Sequence, residues 1–161
     1  MDDRMSGSER KGGPRLFVEL KAWQKARAFR KAISALAKGF PLEEKFRLAD
    51  QIIRSSRGPS ANIAEGYGRY HEKDNTRFCR MASGSLNETL DHLTVAVDEG
   101  YISREVFKAH WDQGEEALRV LHGYIRYLKK VDTESVAVAD PAASYGDEDD
   151  IFTDPPADLI F

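Results

Sequence analysis

With 161 residues, 41% of them hydrophobic, the chain has material for one modest core. A single cysteine excludes an internal disulfide framework, and the lack of a charged-then-apolar leader or a long apolar run predicts a soluble, cytoplasmic protein without a membrane partner. The formal net charge of -3 is unevenly spread: all 24 Lys and Arg lie at or before Lys130, whereas nine of the 27 acids fall in residues 132–161, leaving 24 cations against 18 acids, a net +6, in residues 1–131.

Residues 1–15, MDDRMSGSERKGGPR, are Gly, Ser and charge without periodicity, so residues 1–17 are predicted to be a flexible arm. The first predicted helix spans about Glu19 to Lys38, with Ala22, Ala26, Phe29, Ile33 and Leu36 on one stripe. Arg27, Lys31 and Lys38 share another face, flanked by Trp23 and Arg30. Cations interleaved with an aromatic suit nucleic acid, where phosphate neutralisation supplies affinity and a ring stacks a base. The plain alternative is a solvated face beside a core-edge Trp.

Residues 40–69, FPLEEKFRLADQIIRSSRGPSANIAEGYGR, read as one long helix. Phe40-Pro41 opens it, and Glu43-Glu44 place negative charge near the positive end of the dipole. Phe46, Ala49, Ile53, Ser56, Ser60 and Ile63 form the inward stripe. On the opposite face Asp50 can pair with Arg47 or Arg54, while Arg57 has no acid within one turn. Gly58-Pro59 predicts a kink or an interruption, because proline inside a helix costs about 3 kcal/mol or more. The small residues beyond it predict a close crossing, and Gly66 and Gly68 supply a C-cap.

Asp74 is the predicted N-cap of a third helix ending near Glu99, with Cys79, Ala82, Leu86, Leu90, Leu93 and Val97 inward. Ser83-Gly84-Ser85 in its middle is expected to face the small half of the preceding helix. Gly100 closes the third helix and Ser103 opens a fourth, in which Phe107, Trp111, Gly114, Leu118, Leu121, Ile125 and Leu128 alternate through Lys130.

Reactive constellations are sparse. No two of His71, His92, His110 and His122 have i, i+4 spacing, and none adjoins a cysteine, so no metal or other cofactor is expected. Cys79 reads as a buried hydrophobe. A carboxylate pair such as Glu65 and Glu88 would need an enclosed cleft to do acid–base work. The expectation is a non-enzymatic protein with no catalytic residues.

Trp23, Phe40-Pro41, Glu44, Gln51-Ile52-Ile53-Arg54, Asn62-Ile63-Ala64-Glu65-Gly66 with Arg69, and Ala82, Gly84-Ser85-Leu86 and Glu88 together carry a resemblance over residues 18–131. The sequence resembles the bacterial four-helix-bundle family whose founding members are encoded by intervening sequences in large-subunit ribosomal RNA genes. It is similar, more distantly, to the accessory variability proteins of diversity-generating retroelements, which are more strongly basic. The resemblance implies an all-α, antiparallel up-down-up-down bundle and a homopentamer, and supplies no catalytic residues.

Residues 132–161 form an acidic tail outside that pattern, predicted to be disordered. Apolar residues punctuate it at Ile151-Phe152 and Leu159-Ile160-Phe161, similar in kind to the acidic, Phe-terminated tails of bacterial single-stranded-DNA-binding proteins. Two functions of different class follow. One is an oligomeric accessory or adaptor that binds RNA or single-stranded DNA through Arg27, Lys31, Lys38, Arg54 and Arg57. The other is a scaffold recruiting a protein partner through Ile151, Phe152, Leu159, Ile160 and Phe161, unless the tail only solubilises the chain or screens its basic body.

Overall fold

The computed structural model describes residues 14–69 and 71–139. Four α-helices follow in sequence: α1 Lys21–Leu36, α2 Leu48–Tyr67, α3 Glu72–Asp98 and α4 Arg104–Ala139. Short 3-10 turns at Phe17–Glu19, Ala37–Gly39 and Leu42–Glu44 precede α1 and form the α1–α2 corner. Among the described residues there is no strand. Each helix packs on two neighbours, α1 on α2 and α4, and α3 on α2 and α4, so the chain closes into an up-down-up-down bundle. Phe29, Ile33, Ile52, Ile63, Leu86, Leu93, Phe107 and Leu121 are its most deeply buried large side chains.

The central stretch is not a single helix. Pro41 precedes a 3-10 turn, and α2 begins only at Leu48. Glu44 explains the late start: one carboxylate oxygen accepts the Leu48 N–H at 3.1 Å, satisfying an orphan donor of the first turn. The other accepts the Tyr101 hydroxyl at 3.1 Å, which ties the corner to the α3–α4 turn. This offset removes Phe46 from the inward stripe. Its ring is 84% exposed, with Lys45 Nζ 5.2 Å from the centroid, and Leu42 beside it is 82% exposed.

Helix α2 then runs unbroken through Gly58-Pro59, which overturns the expected interruption. Pro59 is fully buried, and the α2–α3 contacts around it offset its cost. A Cβ at Gly58 would lie 2.6 Å from Ser85 Oγ, and Thr89 donates a hydrogen bond to Ser55 at 2.9 Å. The two small-residue patches do meet, although Ser85 makes the contact while Gly84 is exposed with nothing near it. Gly66 likewise serves contact rather than capping: a Cβ there would come within 2.9 Å of Phe78 Cβ and 3.1 Å of the Asn75 carbonyl oxygen.

Helix α3 starts at Glu72 with His71 as N-cap, so Asp74 falls in the first turn, where its charge still favours the dipole. Its end is the predicted glycine cap. Gly100 adopts φ +71°, the Tyr101 N–H reaches the Ala96 carbonyl at 2.9 Å and the Gly100 N–H reaches Val97 at 3.0 Å. Ser103 caps α4 by accepting the Val106 N–H at 3.2 Å. Helix α4 continues past Lys130 to Ala139; no Gly or Pro occurs between Lys130 and Pro141 to stop it. At the other end, Phe17 packs edge-on against Trp23 at 5.3 Å and the Tyr67 hydroxyl donates to the Pro14 carbonyl, so residues 14–17 contact the bundle.

Candidate nucleic-acid interface

Arg27, Lys31 and Lys38 are exposed along the outer side of α1 and the turn that follows it, opposite the buried Ala26, Phe29 and Ile33. Arg54 and Arg57 are exposed on α2. The two helices are tied by Arg30, whose Nη1 donates to Ser60 Oγ at 3.1 Å. In that antiparallel register Arg57, one turn before Ser60, lies level with residues one turn beyond Arg30, and Arg54 lies level with the end of α1. The five predicted cations therefore lie exposed on two adjacent helices, with Arg54 and Arg57 at the level of the C-terminal half of α1.

Their electrostatic states differ. Arg54 pairs with Asp50 at 3.2 Å, which neutralises it locally. Arg27 lies over the Trp23 ring at 5.8 Å. Among the described residues Lys31, Lys38 and Arg57 have no ion-pair partner, and all three are exposed to a passing phosphate. Trp23 itself is half-buried between Phe17, the core and Arg27, which matches the core-edge reading rather than a ring open for stacking.

A second cation-rich stretch escaped the sequence reading, although Arg119 lies 4.0 Å from Glu116 and Lys130 3.8 Å from Glu134. Residues 117–131 of α4 contain Arg119, Arg126, Lys129 and Lys130 and no acid. That acid-free run is the signal that could have revealed it. On its outer side Tyr127 is 59% exposed and stacks on Tyr124, with centroids 6.3 Å apart and planes inclined by 17°. Tyr124 is anchored in turn: its hydroxyl accepts from Asn75 Nδ2 at 3.0 Å, and buried Asn75 accepts from Cys79 Sγ at 3.5 Å. Burial pushes both the Tyr124 phenol and the Cys79 thiol up to about 12, so both are neutral and the thiol is no nucleophile at neutral pH.

Glu65 and Glu88 are not brought together. Gly66 meets Phe78, whereas Thr89 bonds to Ser55, so the two carboxylates sit at levels separated by about ten helical residues, on the order of 15 Å. Glu65 pairs with Arg69, and Glu88 lies 3.7 Å from His92. Among the described residues no group of His, Cys, Asp and Glu is arranged to hold a metal ion. A shallow surface depression of about 430 Å³ is bordered by Ala109, His110, Asp112, Gln113 and Glu116, all on α4. Ile151, Phe152, Leu159, Ile160 and Phe161 lie outside the described residues. No described helix is long and apolar enough to cross a membrane.

Comparison with known proteins places this fold. A crystal structure of a protein of unknown function from the S23 ribosomal protein family of Bacteroides thetaiotaomicron VPI-5482 superposes with a TM-score of 0.61 at 27% identity, covering 65% of this chain and 95% of that one. Among curated proteins none matches the sequence. The family model described as 23S rRNA-intervening sequence protein matches residues 18–123, from the turn before α1 into the lower half of α4. With the bundle and the Asn62–Gly66 segment both in place, the chain belongs to the 23S rRNA-intervening sequence protein family.

Proposed function

We propose that this protein is a non-enzymatic, self-associating accessory or adaptor that binds RNA or single-stranded DNA through its α1–α2 surface. The observation that carries this reading is the exposure of Lys31, Lys38 and Arg57 on one side of the bundle without an ion-pair partner among the described residues. Repetition of such a surface in an oligomer raises effective concentration and turns weak phosphate contacts into useful retention. Self-association is supported by Leu42 and Phe46, two large apolar side chains that are both exposed in the α1–α2 corner. Assembly as a homopentamer follows from the family resemblance alone.

The test is charge reversal of Lys31, Lys38 and Arg57 in the full chain, followed by retention of labelled RNA and single-stranded DNA at ~50 and ~200 mM salt. Binding by the parent should fall steeply over that range, and the triple variant should lose it at the lower salt. Unchanged retention by the variant would remove this surface from the interface. A scaffold reading, in which residues 147–161 recruit a protein partner, predicts that deleting them leaves nucleic-acid retention intact and abolishes partner capture.

A further inference from the structure

Of the two readings of Trp23, base stacking and core edge, the structure supports the second, since its ring is already engaged by Phe17 and Arg27. The structure places an available ring elsewhere. Aromatic side chains on a helix lean towards the N-terminus, over the positions three and four residues earlier. For Tyr127 these are Tyr124, on which the ring stacks, and Gly123. A Cβ added at Gly123 would find only Arg126 Nη2, at 3.9 Å, so the Arg126 guanidinium leans back beside Gly123, and Tyr127 itself is 59% exposed. Lys130 follows one turn later, exposed and within 3.8 Å of Glu134.

We propose that Tyr127, with Gly123 and Arg126 beside it, forms a stacking platform on the outer face of α4 for one unpaired base of a single-stranded nucleic acid. The base lies on the exposed Tyr127 ring, and a flanking phosphate meets Arg126, which has no ion-pair partner among the described residues, whereas Lys130 is held by Glu134. The Tyr124–Asn75 hydrogen bond holds the lower ring in place, so the platform is preformed and little side-chain freedom is lost on binding. A duplex, whose bases are already stacked, gains nothing from it. This inference rests on the nucleic-acid reading above and names a surface on a different helix.

The measurement is fluorescence anisotropy with labelled oligo-dT and oligo-U of ~15 nucleotides, and a duplex of the same length, on the full chain at ~50 mM salt. Tyr127→Ala should weaken single-strand binding by roughly tenfold, Tyr127→Phe should retain it, and Arg126→Gln should lower the salt slope by about one. Gly123→Leu separates binding from folding. It replaces a helix glycine where space is open, so thermal stability should hold or rise, while the new side chain covers the ring and should weaken binding as Tyr127→Ala does. Should the parent bind but Tyr127→Ala and Gly123→Leu bind equally well, the platform is wrong and the α1–α2 reading survives. Equal losses for duplex and single strand would also overturn it, because base stacking would not be the contact. No binding by the parent would overturn both readings.

Discussion

Two glycines inside helices give opposite predictions when each is replaced by alanine, and the difference comes from tertiary packing. At Gly66 a Cβ would meet Asn75 Oδ1 at 2.8 Å, Phe78 Cβ at 2.9 Å and the Asn75 carbonyl oxygen at 3.1 Å. Two of these atoms belong to or adjoin the backbone of α3 and cannot rotate away, so α2 and α3 must separate. Overpacking of this kind costs about 1–3 kcal/mol, and the gain in helix propensity is below about 1 kcal/mol so close to the end of α2. The expected net loss for Gly66→Ala is about 1–2 kcal/mol. Displacing Asn75 also strains its bonds to Tyr124 and Cys79. Gly84 is exposed in mid-helix with nothing within 4 Å, so Gly84→Ala should gain about 0.5–1 kcal/mol. Urea unfolding followed by circular dichroism, at one protein concentration because the proposed self-association would contribute to apparent stability, reports both as midpoint shifts at constant slope. A Gly66→Ala midpoint equal to or above that of the parent would refute the contact argument.

Replacing Leu42 and Phe46 together by Ser should leave helicity unchanged, since both are more than 80% exposed, and should lower the mass measured by light scattering; an unchanged mass would move the subunit contact elsewhere. Stability should be insensitive to Cys79 and Tyr124 near neutral pH and decline between about pH 9 and about pH 12. Burial raises both folded values to about 12, so the unfolded chain releases these protons first as pH rises. Cys79 should accordingly resist maleimide at pH 8 until denaturant is added, and rapid labelling of the folded protein would contradict its burial.

Much of the fold was legible in local pattern. The stripes of α1, α3 and α4 point inward as their period requires, and Gly100 and Ser103 mark the α3–α4 turn through their own backbone and side-chain hydrogen bonds. Phe46 was misplaced because its spacing fits the α2 stripe, while the register is decided by Glu44, whose carboxylate is held by Tyr101, 57 residues away. Gly58-Pro59 predicts a kink or an interruption from local chemistry, and the interruption does not occur; the contacts with Ser85 and between Ser55 and Thr89 that accompany an unbroken α2 come from another helix. For the candidate site, the exposed cations of α1 and α2 could be read from spacing. Which aromatic is open could not, because Trp23 and Tyr127 differ in what covers them.

The sequence by itself determined that four amphipathic helices form and which of their faces are apolar, since those depend on residues three and four apart. Tertiary structure decided the start of α2, the contact roles of Gly58 and Gly66 and the exposure of Phe46. Each of these turns on atoms brought together from distant parts of the chain, and no local period encodes such distances.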